Sequence, residues 1–197
     1  MTAKLAADVR KGFKELLQYP HMSRDGYLAL HTLFSFRARS IGDTLQGFVE
    51  EAEEYGVELW AAIFPPSISW MVGQNYSILK EYLKDIQVML YHRGDGAACL
   101  NAELGSLLHL LGDGAEARRA LKSLTGIDVG LQNLESGIEF ETIVEEAWRC
   151  WDVLSEDSVP IIWGLEQYEE NERRIMDIFG RCVVFKPCDM YQEINTK

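Results

Sequence analysis

The chain has 197 residues, 47% of them hydrophobic and 25% charged, a balance that belongs to globular proteins and excludes intrinsic disorder. Nineteen basic against thirty-one acidic residues give a formal charge of −12, which gives little support to a grip on nucleic acid phosphates, which needs clustered Lys and Arg, and disfavours an anionic membrane surface. The apolar stretch at residues 59–66 (LWAAIFPP) is far short of the roughly 20 residues of a membrane helix, and no export signal is visible at the N-terminus. A single domain over residues 1–197, in the cytoplasm, is the expectation.

In chain order, Leu5, Val9, Phe13, Leu16 and Leu17 recur at helical steps and form one apolar stripe, which Tyr19-Pro20 ends. Residues 27–36 read as a β-branched and aromatic segment that fixes no element type. A helix is expected from Ser40 or Asp43, with Leu45, Phe48, Val49 and Ala52 inward, Glu50, Glu51, Glu53 and Glu54 outward, and Gly56 as its stop. Four short apolar runs then read as buried strands: residues 57–64 (VELWAAIF), 86–91 (IQVMLY), 159–165 (VPIIWGL) and 182–185 (CVVF). Between them, Tyr76, Leu79 and Leu83 suggest a helix. Further helices are expected over residues 103–111, 140–154 and 168–179, the second with Val144, Ala147, Trp148 and Trp151 inward. Strand, loop, helix and strand in succession predict an α/β fold of parallel (β/α) repeats.

Cys99, Cys150, Cys182 and Cys188 form no CxxC pair, and the four histidines never fall at i, i+4, so no metal is implied. A Cys182 to Cys188 disulfide is conceivable, with free thiols the alternative. No phosphate-binding glycine loop and no GxSxG elbow is found, and no cofactor is expected.

Several pieces resemble a family of uncharacterised bacterial and archaeal TIM barrels that are glycoside-hydrolase-like. They are FRARSI (residues 36–41), IFPPSISWMVGQNY (63–76), MLYHR (89–93) and GLE (164–166). In that family these pieces belong to the C-terminal half of the barrel, so the resemblance implies that the four strands are the fifth to eighth of a TIM barrel. A barrel takes about 250 residues. The N-terminal half would then be missing, or supplied by another copy in a homo-oligomer.

Ligands of parallel α/β folds sit at the strand C-termini. Those positions hold Gln74 and Tyr76 after the first run, Tyr91, His92, Arg93 and Asp95 after the second, Glu166 after the third and Asp189 after the fourth. Carboxylates with aromatic and hydrogen-bonding neighbours suit a carbohydrate or another small polar molecule. Glycoside hydrolysis needs two carboxyl groups; Glu166 is the first candidate, Asp95 and Asp189 compete for the second role, and Glu103 stands behind them. Tyr91, Arg93, His92, Gln74 and Tyr76 would bind the substrate. Each has a structural alternative: a strand-end carboxylate also caps a following helix, Arg93 also pairs with Asp95, and Tyr91 also packs. Two functions follow, a carbohydrate-active hydrolase and a non-catalytic half-barrel that binds or assembles.

Overall fold

The structure is a computed structural model describing residues 3–15, 23–83, 85–112, 114–129, 131–155, 158–163 and 168–185. It opens with two helices, α1 (Ala3–Glu15) and α2 (Arg24–Glu54), followed by β1 (Trp60–Ile63). Short turns come next: α3 (Pro66–Ser69), a 3-10 turn (Trp70–Val72) and α4 (Tyr76–Leu79). Strand β2 (Asp85–Tyr91) leads into four helices, α5 (Leu100–Leu111), α6 (Ala115–Thr125), α7 (Leu131–Ser136) and α8 (Phe140–Leu154). The described chain ends with β3 (Ser158–Trp163), α9 (Tyr168–Phe179) and β4 (Val183–Phe185).

The strands lie in one parallel sheet in the order β1-β2-β3-β4, at the places where the apolar runs put them. The reading of the chain as four (β/α) repeats forming the C-terminal half of a TIM barrel does not hold, however. Helix dominates the described residues, and the sheet is small. Only the β3-to-β4 crossover is a single full helix; β1 to β2 is bridged by one-turn pieces and β2 to β3 by four helices. The longest helix precedes the sheet altogether.

Burial along β2 explains the misreading. Ile86, Val88 and Leu90 are fully buried, whereas Asp85, Gln87, Met89 and Tyr91 are half-buried, so the strand alternates. Met89 and Tyr91 are apolar enough to hide that alternation in the sequence. On β1, Ala61 and Ile63 point with the buried set, and Trp60 and Ala62 are exposed. β1 and β2 are therefore well covered on one face only. On that face α8 packs against β2 and β3, and α9 against β3. Ile143, Ala147 and Cys150 of α8 are fully buried; Trp151 meets Phe179 edge to face at 5.5 Å, and Trp148, expected inward, is half exposed.

Helix α2 starts far earlier than Ser40, because residues 27–36 continue it. Ser23 caps it: its Oγ accepts from the Gly26 N–H at 3.2 Å and donates to Glu15 Oε2 at 2.6 Å. Those bonds hold the Glu15 carboxyl below its ordinary pKa, the Ser23 hydroxyl contributing most. The first half of α2 pairs with α1 around a small core of Val9, Ala29 and Leu30, apart from the main core. The crossing is close: a Cβ on Gly12 would stand 2.6 Å from the Gly26 carbonyl oxygen. Gly12→Val is therefore expected to release α1 from α2, raising amide exchange across α1 while β2 and α8 stay protected.

No helix among the described residues is long and apolar enough to cross a membrane. Cys99, Cys150 and Cys182 are free thiols; Cys188 lies outside the described residues.

Candidate functional site

At the end of β1, the two residues expected to touch substrate instead hold the chain. Gln74 Oε1 accepts from the Phe64 N–H at 2.7 Å, and the buried Tyr76 hydroxyl donates to the Phe64 carbonyl at 2.6 Å. The pair reproduces, with side chains, the two backbone bonds a neighbouring strand would have offered. Burial pushes the Tyr76 phenol well up, helped by Cys150 Sγ at 3.8 Å and the nearby Glu146 charge.

Glu146, on α8, is fully buried, and the sequence reading missed it. Its Oε2 accepts from the Ser67 N–H at 2.9 Å and its Oε1 from Arg149 at 2.7 Å. Arg149 also donates to the Thr125 carbonyl at 3.0 Å. Burial raises the Glu146 pKa, with the Ser67 and Arg149 contacts offsetting part of the rise. A carboxylate received by a backbone N–H and a guanidinium is fixed as a tie between α8 and the segment after β1. Beside it, Gln74, Asn75, Tyr76 and Arg149 border an open hollow of about 230 Å³.

At the end of β2, Tyr91 is half-buried and bridges to Cys99, and burial, with the Cys99 sulfur behind it, raises its phenol pKa. Arg93 and Asp95 are exposed. His92 lies under the turn before α8: its carbonyl accepts from the Ile138 N–H at 3.0 Å, and a Cβ on Gly137 would stand 3.0 Å from His92 Nε2. Glu103 turns back to accept from the Ala98 N–H at 3.1 Å, closing the turn into α5. Glu166 and Asp189 lie outside the described residues, so the expected convergence of Tyr91, Arg93 and Glu166 is described only for its first two members.

A more enclosed space lies elsewhere. A cavity of about 380 Å³ is bounded by Phe34 and Arg37 of α2, Trp70 and Met71 of the 3-10 turn, Leu107, Leu110 and Leu111 of α5, and Leu121 and Leu124 of α6. Helix α5 carries two leucine stripes. Leu100, Leu104 and Leu108 are fully buried in the main core, whereas Leu107, Leu110 and Leu111 line the cavity, and Leu110 is 80% exposed. That second stripe, visible in LGSLLHLL, was the available signal. Phe34 meets Trp70 edge to face at 4.9 Å, and Trp70 Nε1 donates to the Ser67 carbonyl at 2.9 Å, which fixes this wall. Arg37 donates to the Met71 carbonyl at 2.7 Å and is exposed. A guanidinium has five N–H donors, so most of this fork remains for water or a ligand.

Neither a family model, nor a curated protein, nor a solved structure matches this chain. Together with the mainly helical fold, this leaves the TIM-barrel, glycoside-hydrolase and carbohydrate-binding expectations without support.

Proposed function

We infer that this protein is a non-catalytic binding protein whose ligand is a small amphipathic carboxylate, seated in the cavity between α2, α5 and α6. The observation that carries the reading is the pairing of a partly enclosed, leucine-lined space with one guanidinium at its rim. Its volume of about 380 Å³ lies in the range of about 300–1,000 Å³ usual for ligand sites, and such sites combine an apolar lining with a few orienting polar groups. An alkyl tail would replace water against the leucines, and the carboxylate would take the Arg37 fork in a charge-assisted contact. At the β1 end, Gln74, Tyr76 and Glu146 are engaged in holding backbone, which supports binding over catalysis there.

Calorimetric titration with decanoate and with decanol tests this. Decanoate is expected to bind more tightly, and Arg37→Gln to weaken it about tenfold, the scale of one charge-assisted hydrogen bond, while leaving decanol unchanged. Leu124→Trp should fill the cavity and remove both. Failure of the parent protein to bind decanoate, or equal binding by all three proteins, would overturn the reading.

A further inference from the structure

A second apolar surface lies at the other end of α2, and it is framed by charge. Leu45 and Phe48 of α2, with Tyr55 just after its end, face Val57 and Trp60 across an open groove of about 500 Å³ that Leu83 also lines. Phe48, Tyr55, Val57 and Trp60 are each more than half exposed, an unusual concentration of large apolar side chains on one surface. Among the described residues, β1 is also the first strand of the sheet and pairs only with β2.

The rim is acidic. Glu51 lines the groove, and Glu50, Glu53 and Glu54 share the last turns of the same helix, whose final turn holds no basic residue. Two features make this arrangement unfavourable in the isolated chain. The C-terminus of a helix carries the negative end of its dipole, where carboxylates are destabilising. Glu50 and Glu54, four residues apart, and Glu51 and Glu54, three apart, are like charges on adjacent turns. Among the described residues no ion pair is made by Glu51 or Glu54.

We propose that the groove between the end of α2 and the start of β1 docks a basic amphipathic segment of a partner protein, apolar anchors inward and Lys or Arg against Glu51 and Glu54. Charge complementarity selects this occupant. A second copy meeting the same face across a two-fold axis would set Glu51 and Glu54 against their own kind, on a chain of net charge −12. Nucleic acid and anionic lipid are repelled by the same rim. A basic segment relieves both the repulsion along α2 and the unfavourable end of its dipole while covering the aromatic floor, the arrangement of helix-in-groove recognition.

Fluorescence anisotropy of a labelled peptide of Lys and Leu at helical spacing, measured against a scrambled peptide of the same composition, reads this out. The ordered peptide is expected to bind the intact protein, the scrambled one at least tenfold more weakly. The double variant Glu51→Gln/Glu54→Gln should lower affinity about tenfold, and Phe48→Ser should do the same by removing an anchor. Glu116→Gln/Glu145→Gln, which makes the same charge change on exposed parts of α6 and α8, should leave binding within twofold. No binding of the ordered peptide, equal binding of the scrambled one, or an equal loss in the control variant would overturn the proposal. So would sedimentation revealing a dimer that Phe48→Ser splits, since a second copy would then occupy the groove.

Discussion

Replacing Glu146 with alanine is expected to destabilise the protein by about 3 kcal/mol in urea unfolding, close to the loss seen when one member of a buried ion pair is removed. Three effects add. The Ser67 N–H loses its acceptor inside the protein, a cost of about 1–3 kcal/mol. The side chain leaves a hole beside Cys150 and Tyr76, both buried. Arg149 loses its charged partner but keeps its bond to the Thr125 carbonyl, and its side chain is 38% exposed, so water rehydrates the guanidinium and the third effect is small. Glu146→Gln keeps an acceptor for Ser67 and is expected to lose only about 1 kcal/mol.

The pH dependence separates these contributions. Burial raises the folded-state pKa of Glu146 above its ordinary value of 4.5. A raised carboxyl pKa means that the folded state binds the proton more tightly, so the associated stability is complete below the unfolded pKa and is lost as pH rises through the folded one. As pH rises from the ordinary carboxyl value of 4.5 through the raised folded-state value, the parent protein should therefore lose stability relative to Glu146→Gln. Parallel pH profiles for the two proteins would count against a desolvated carboxyl at this position.

What could be read from the sequence was set by how far each signal is local. β2 and β4 were legible within a residue or two because runs such as IQVMLY and CVVF are short, apolar and bounded by polar residues or proline. Helices α8 and α9 were legible from periodicity. What failed was the step from elements to architecture. Equal-looking strands suggested equal repeats, but nothing local distinguishes the one-turn pieces after β1 from a full crossover helix. Tyr76, Leu79 and Leu83 have helical spacing, and yet α4 stops at Leu79, and the chain runs on in turns whose Tyr82 and Leu83 N–H groups donate to the Leu79 carbonyl.

The candidate site was less legible for a related reason. Strand-end polar residues attract attention as ligands of a substrate, but Gln74 and Tyr76 have a nearer use, the unpaired backbone of Phe64 at the end of an edge strand. Glu146 passed unnoticed because it sits in the acidic stretch FETIVEE, where it looks like its exposed neighbour Glu145. Helical phase distinguishes them. Glu146 shares a face with Ile143, Cys150 and Arg149, while Glu145 lies about 100° away, toward solvent. A carboxylate on the apolar face of a helix, three residues before an arginine, is the pattern to look for.

Gly73→Val is expected to destabilise the protein by about 3–4 kcal/mol and, unlike the Glu146 variants, to remove ligand binding as well. Gly73 has φ +84°, in the left-handed region, where a side chain adds about 1–2 kcal/mol of backbone strain. Space is lacking too. A Cβ there would stand 2.9 Å from Arg37 Cβ, 3.0 Å from Ile41 Cδ1 and 3.1 Å from the backbone carbon of Arg37. Because the obstacle includes the α2 backbone, α2 must move away from the 3-10 turn instead of merely turning a side chain. That displacement separates Phe34 from Trp70 and Arg37 from the Met71 carbonyl, the contacts that form one wall of the cavity. Gly47→Ala is the matched control on α2: its Cβ would meet nothing within 4 Å, and removing a helical glycine is expected to stabilise by about 0.5–1 kcal/mol. Urea midpoints and decanoate titrations on both variants, with Glu146→Gln alongside, distinguish general destabilisation from loss of the cavity. If Gly73→Val bound decanoate as tightly as the parent while folded, the cavity between α2 and α5 would not be where the ligand sits.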